Sequence, residues 1–417
     1  MSDSMRALII LLLLALSPLA AGAQEDCGAC HRDAVQGVHR GLECSACHGA
    51  GGEIARPSSA AGGAPGCVSC HEGFDAMFHG PMATREVERR FVAQTYGRHD
   101  PGFFDNNCSG CHVSDCLDCH GEKGHEIARP TGEACLSCHK GYFVGWDYFG
   151  RAPREDHQRY QRGPQAQGEN YLKMRPDLHA EIGLQCGECH SMASLAAGEK
   201  ASKGCADCHR PDDGVIEHRI DAHRDKLECY ACHSAWAAQE YGTFFLRLGD
   251  AEARRHFRLR QDPESEYVRS AYLKRQDAPP LGLNGAGRVS PVRPQFIAFQ
   301  SDLREDAPEA GENRLLAARW KAFFPHTVRS GTVMCEGCHE DGRRFLLEKE
   351  EDRIYGLRRD GLDLDSFWSQ KGQQVEGGGF LSAERFATMR ERGEAYSRAY
   401  VEKWKRLIDR VADSSRD

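Results

Sequence analysis

All twenty cysteines of the chain fall into ten Cys-x-x-Cys-His motifs, with none left over. The motifs join Cys27, Cys30 and His31; Cys44, Cys47 and His48; Cys67, Cys70 and His71; Cys108, Cys111 and His112; and Cys116, Cys119 and His120. They continue with Cys135, Cys138 and His139; Cys186, Cys189 and His190; Cys205, Cys208 and His209; Cys229, Cys232 and His233; and Cys335, Cys338 and His339. Two thiols at this spacing can add to the two vinyl groups of one haem, and the adjacent histidine then reaches the iron from the proximal face. Zinc ribbons and disulfide frameworks also use paired cysteines, but neither requires a histidine directly after the second one. With only 20 histidines in 417 residues, ten such placements do not arise by chance. The expected cofactor is haem c, ten copies, covalently attached.

Ten histidines serve as proximal ligands and ten remain. The equality suggests iron atoms with histidine on both faces. Such ligation fills both axial sites and lowers the potential relative to histidine–methionine, so these haems move electrons and do little else. His39, His99, His125, His179, His223 and His326 each lie a few residues before the next motif, where a short connection can swing a ligand onto a neighbouring haem. His79 and His218 also sit within the motif-rich region. His157 and His256 lie in charged runs and read equally well as surface histidines. If those two fail, Met77, Met82, Met174, Met192 or Met334 could substitute, or an iron could stay open. Tyr142, Tyr148, Arg151 and Arg154 could then line an anion pocket, although packing and solvation are the simpler reading of them.

These ligands need a scaffold. The chain is 40% hydrophobic but only 8% aromatic, with a mean hydropathy of −0.60, lean for ordinary cores. Haems would fill that gap as large apolar bodies stapled at two points. The expected fold class is a multihaem cytochrome c: mainly irregular with α-helices, little strand, and a core built around covalently bound haems. Residues 1–23 read as a cleavable signal peptide, with Arg6, an apolar run from Ala7 to Leu16, Pro18, and cleavage near Ala23. Met5 offers an alternative start, because Asp3 sits in a region that should be positive. The run is too short for a membrane anchor, and no later segment could span a bilayer. An exported, periplasmic protein is expected. The net charge of −8 and the absence of a basic stripe exclude nucleic acid as a partner.

Nine motifs crowd into residues 27–233, in three groups of three, and the tenth stands alone. The segments from Cys47 and Cys119 share Glu-Ile-Ala-Arg-Pro in register, at Glu53–Pro57 and Glu126–Pro130, which reads as duplication of a three-haem module. The expected divisions are modules 24–107, 108–185 and 186–239, a haem-free insertion 240–334, and residues 335–417 with the tenth haem and a helical end. Only three residues separate the motifs at Cys108 and Cys116, so their porphyrins should nearly touch. The insertion, with its turn-rich DAPPLGLNGAGRVSPVRP, is expected to wrap or cap the haem array. Residues 382–411 read as a packed terminal helix with Ser382 as N-cap and Phe386, Met389, Tyr396, Tyr400, Leu407 and Val411 near one face.

With its ten motifs and phrases such as HRGLECSACHG, HAEIGLQCGECHSM, HRDKLECYACHS and PHTVRSGTVMCEGCH, the chain resembles the periplasmic multihaem cytochromes c of bacterial respiratory chains. It is loosely similar to the octahaem tetrathionate reductase and hydroxylamine oxidoreductase group. The resemblance covers about 27–233 and 326–340. It implies either an electron relay in anaerobic respiration, which is favoured, or a terminal reductase of a nitrogen, sulfur or selenium oxyanion with one open haem. It also implies redox partners, either membrane quinol-linked proteins or periplasmic cytochromes. An oligomer or filament is a further possibility. Ammonia-forming nitrite reductases carry one Cys-x-x-Cys-Lys motif, whereas every motif here ends in histidine.

Overall fold

Every motif described in full winds into one helical turn. At Cys67, Cys116, Cys135, Cys186, Cys205 and Cys335 the histidine N–H donates to the carbonyl of the first cysteine at 2.8–3.0 Å. The motif at Cys229 is itself a helix, Cys229–His233. Residues three and four apart share a helix face, so each turn presents both thiols and the imidazole to the same side. The computed structural model describes residues 39–42, 67–98, 100–108, 112–121, 127–139, 147–149, 162–166, 169–173, 177–199, 201–235, 237–240, 244–247, 267–270, 273–276, 279–302, 311–330, 333–347, 370, 373–391 and 393–414. Residues 1–23, read above as a signal peptide, the motifs at Cys27 and Cys44, Cys111 and the Glu53–Pro57 segment lie outside them.

The described residues form two compact units, one drawn from 1–72 and 114–129, the other from 73–113 and 130–417. This division does not follow the boundary read at 107/108. Within the smaller unit the Cys116 thiol meets that of Cys67, so a motif is joined to one before it in sequence. Cys108 belongs to the larger unit and Cys116 to the smaller.

The larger unit contains more strand than the expected little strand. β1 (Asp147–Phe149), β2 (Arg162–Ala166) and β3 (Glu169–Lys173) form a sheet in the order β1-β3-β2. β4 (Ala237–Glu240) pairs with β7 (Leu273–Gln276), and β5 (Phe244–Arg247) with β6 (Tyr267–Ser270). The main sheet joins β8 (Leu281–Leu283), β9 (Val289–Asp302), β10 (Gly311–Ala322) and β11 (Gln374–Glu376) in the order β11-β10-β9-β8. Only β10–β11 is parallel in that sheet.

Much of the segment read as a haem-free cap is therefore a long β-hairpin. Its sequence hid this because Pro291 and Pro294 argue against a central strand. Pro294 sits opposite Trp320, next to a register shift between Arg319 and Trp320, where the irregularity tolerates a residue with no N–H to donate. The glycine-rich stretch is the β8–β9 turn. Asn284 Oδ1 accepts from Ala286 and Arg288 N–H there, and Gly287 takes φ +73°.

Two apolar clusters hold the hairpin. Phe296 and Ala298 on β9 pack with Phe91 and Val92 of helix α1 (Glu86–Gln94) and with Tyr96, Phe103, Phe104 and Cys108. A second cluster packs Leu281 of β8 with Ala231, Phe345, Leu381 and Phe386, bordered by Cys338. The hairpin thus reaches three motifs through side chains of theirs: Cys108, Ala231 and Cys338. Gly378 passes so close to β8 that a Cβ would lie 2.1 Å from the Leu283 carbonyl, which excludes any other residue.

The C-terminal helix is interrupted. α2 (Ala383–Arg390) and α3 (Glu394–Ser414) are separated around Gly393. Ser382 caps α2, its hydroxyl accepting from Arg385 N–H at 3.2 Å. Ser382→Ala is expected to lower holoprotein stability by about 1 kcal/mol, read as a small drop in thermal midpoint. Phe386 is buried as expected, but Leu407 and Val411 are exposed rather than packed.

Candidate functional site

Five pairs of imidazole rings face each other at a common separation. Ring centroids lie 6.0 Å apart for His39–His71, 5.8 Å for His179–His209, 6.3 Å for His190–His326, 6.0 Å for His218–His233 and 6.2 Å for His223–His339. In each pair one ring belongs to a motif and the other does not. Two imidazoles bound to one metal at about 2.0–2.1 Å through ring nitrogens have centroids roughly 6 Å apart. Direct aromatic contacts span the same range. The repeated match of one motif ring with one outside ring is what distinguishes these pairs.

Hydrogen bonds at the other ring nitrogen fix the tautomer. Nδ1 of His120 donates to Ala128 O at 3.0 Å, that of His233 to Arg329 O at 3.0 Å, and that of His339 to Met389 O at 2.8 Å. Among the outside rings, His218 donates to Asp212 O at 3.1 Å and His179 to Asp177 Oδ1 at 3.0 Å. Carbonyl and carboxylate oxygens only accept, so Nδ1 carries a proton and, in the neutral ring, Nε2 is the nitrogen with a lone pair for a metal. Burial, with His190 close by, pushes His326 down to about 4. Burial and then His339 likewise lower His223. Both rings are neutral at pH 7, the form a metal ligand needs.

The pairing has a pattern. His39 precedes the motif at Cys44 but faces His71; His179 precedes Cys186 but faces His209; His223 precedes Cys229 but faces His339. Each skips the motif it adjoins. His218 faces the ring of the next motif, and His326 reaches back to His190. Cysteines of different motifs also meet. The sulfurs of Cys67 and Cys116, Cys135 and Cys186, and Cys205 and Cys229 lie within hydrogen-bonding reach of each other.

The segment after β10 is stitched into this array. Asp177, 3% exposed, caps the turn Leu178–Glu181. Its Oδ1 accepts from the His179 N–H at 2.8 Å as well as from Nδ1, and its Oδ2 accepts from Val328 N–H at 2.5 Å. Arg329 donates to both oxygens of Glu181, at 2.7 and 2.8 Å. The Arg329 N–H donates to His233 O at 2.8 Å, and Ala235 N–H to Thr327 O at 3.0 Å. Immediately before these anchors His326 holds φ +54°, a left-handed conformation that costs an L-residue about 1–2 kcal/mol. The segment that follows β10 thus brings the His326 ring to within 6.3 Å of His190.

Of the other candidates, His79 is exposed at the end of a short turn, Phe74–His79. Met77 is buried, Met82 and Met192 are half-buried, and Met334 is exposed. His99, His125, His157, His256, Met174, Tyr142, Arg151 and Arg154 lie outside the described residues, and of Tyr148 only the backbone, in β1, is described. Sequence reasoning missed Asp177 and the Arg329–Glu181 pair. The only local signal was an aspartate two residues before His179, the N-cap position of a turn.

Among the described residues, no three or more His, Cys, Asp or Glu side chains converge on one point. No described helix is long and apolar enough to cross a membrane. The chain matches no protein-family model, no curated protein and no solved structure.

Proposed function

We propose that the chain is a multihaem c-type cytochrome. Within that class it is read as a periplasmic electron relay, carrying electrons through ten haems, mostly bis-histidine, between respiratory redox partners. The observation that carries this reading is the set of five motif–outside imidazole pairs at 5.8–6.3 Å. The residues fit the group: each turn offers two thiols and one imidazole on one face, with a second imidazole opposite. Haem bound there supplies a one-electron iron couple. The chain's own part would be to hold each iron between two imidazoles, keep Nδ1 protonated through carbonyl and carboxylate acceptors, and keep neighbouring attachments close. The touching thiols of Cys135 and Cys186, and of Cys205 and Cys229, support this reading, since haems attached there would lie close enough for short electron steps.

A second reading, a terminal oxyanion reductase, has one observation in its favour. Arg293 and Lys321 are directly opposed across β9 and β10, and with Arg85 they lie around His139. Like charges at opposed positions destabilise a sheet unless an anion lies near. A haem propionate meets that need as well as an oxyanion does, so the relay is preferred.

Electron paramagnetic resonance and magnetic circular dichroism of the fully oxidised holoprotein, with a haem count, test the proposal. Ten haems with low-spin bis-histidine signals are expected. A high-spin signal that moves on adding nitrite, hydroxylamine or selenite would establish the reductase instead, and a haem-free native protein would end both readings.

A further inference from the structure

The tenth motif stands alone in sequence but not in the fold. The Cys205 thiol meets that of Cys229, and Cys232 in turn lies near Cys338. His223, six residues before Cys229, faces His339 and completes the join between the last two motifs. At that join lies a buried cation. Arg344 is 2% exposed, carried by the turn Gly342–Phe345 just after the tenth motif. Asp341 Oδ1 caps this turn, accepting from Arg343 N–H at 3.0 Å, and Gln370 Nε2 donates to Phe345 O at 2.8 Å. Among the described residues Arg344 makes one hydrogen bond, from Nη2 to Ala231 O at 3.1 Å, inside the Cys229 motif; its Nε has no partner there. Burying a charge without a counter-charge destabilises a fold, so packing does not account for an arginine at this place.

We propose that Arg344 gives the relay its direction: its buried charge holds the centres at His233 and His339 at higher potential than the centre at His209, so that electrons collect at the tenth motif. This rests on the cytochrome reading above. Thiols aside, Arg344 is the charged group that acts most strongly on the sulfurs of Cys232 and Cys338. Glu217 and Asp341 oppose it more weakly, and Glu217 is paired with Lys403. Glu228, near Cys229, is matched by Arg288 at 3.3 Å. The surroundings of His209 have the opposite sign. The ring that faces it, His179, donates to the carboxylate of Asp177, itself 3% exposed.

Sharing one electron between neighbouring centres oxidises one and reduces the next, with no bond broken and no proton moved. Fixed charge therefore decides the bias. A cation near a metal favours its reduced, less positive form, and a carboxylate on a ligand favours the oxidised one. One unit charge across about 10 Å of protein, at an effective dielectric near 20, biases the sharing by roughly tenfold.

A redox titration of the holoprotein, followed by electron paramagnetic resonance in two marked backgrounds, tests the inference. His223→Ala should make the centre at His339 high-spin, and His179→Ala the centre at His209, so each midpoint is read from its own signal. The midpoint in His223→Ala is expected above that in His179→Ala. Adding Arg344→Met should lower the first, changing its oxidised-to-reduced ratio at a fixed potential by roughly tenfold, and leave the second in place. Arg344→Lys keeps the charge and should move neither. Where Arg344→Met does not mature, Arg344→Gln takes its place, and the comparison of the two backgrounds needs no change at Arg344. A His339 midpoint at or below that of His209 overturns the inference, as does a loss of the Arg344 charge that moves both midpoints alike or neither. Haem count and spin state on the same samples separate the two claims. Ten haems with marked signals in the wrong order sink only the role of Arg344, while a haem-free protein sinks the cytochrome itself.

Discussion

His326→Ala is expected to turn one low-spin centre high-spin, raise its potential by on the order of 0.1 V, and destabilise the holoprotein by a few kcal/mol. Three effects act together. His326 is the ring opposite His190, at 6.3 Å, and in the proposed cytochrome the two would hold one iron between them, so its removal would leave that iron one ligand short. The shared group would also tie residue 326 to residue 190. Closing a loop of roughly 136 residues (326 − 190) is worth up to about 5 kcal/mol in the chain-entropy account, an upper bound for a reversible ligand bond. Alanine keeps the left-handed backbone at φ +54° and its cost, so strain relief offsets none of the loss. His326→Gly separates these contributions. It should show the same spin change but recover about 1 kcal/mol, because glycine adopts that conformation freely. Added imidazole should restore the low-spin signal in both variants. The measurements are electron paramagnetic resonance, a redox titration and thermal unfolding. An unchanged low-spin spectrum in His326→Ala would show that His326 binds no iron.

The helical turns of the motifs were legible in the sequence because they are local. A Cys-x-x-Cys-His motif needs one turn of helix, and one turn is what each fully described motif forms. Distal partners are another matter. Of the five outside rings that face a motif ring, His39, His179, His223 and His326 were visible as candidates from their placement before motifs, and His218 from lying within the motif-rich region. Their destinations were not. His223 skips the motif six residues away to reach His339, and His326 returns along a β-hairpin to His190, because the fold, not chain proximity, sets which rings meet. That hairpin was itself obscured. Pro291 and Pro294 contradict a central strand locally, and only the register irregularity opposite Pro294 and the burial of Val292, Ala298 and Trp320 override them. The terminal helix shows the same limit. Its apolar period was readable from the residues, but which side meets the protein is decided by Glu217, Arg219 and Gly214, far away in sequence.

Asp177→Asn is expected to raise the potential of the centre between His179 and His209 by some tens of millivolts, and to cost about 2–4 kcal/mol of stability. The carboxylate now accepts three N–H groups while only 3% exposed. Asparagine keeps the shape but has a single acceptor oxygen. If that oxygen stays on His179, the amide NH₂ points at the Val328 N–H, donor against donor. Hydrogen bonds to a charged acceptor are worth about 1.5–3 kcal/mol each, and a buried donor left unmet adds its desolvation cost. The electronic effect has a definite sign. A carboxylate on Nδ1 pushes electron density into the imidazole and favours the more positive, oxidised metal. Losing it favours reduction and moves the potential upward. The disturbance should also spread. Val328 lies between His326 and Arg329, whose carbonyl holds His233, so the centres at His190 and His233 should shift by smaller amounts. Asp177 is thus a positioning residue, and potentials distinguish that role from a merely structural cap. If stability falls while every potential stays fixed, Asp177 only holds the turn. If the first centre moves most and the other two follow, the segment 326–329 is the strut that aligns three ligand pairs at once.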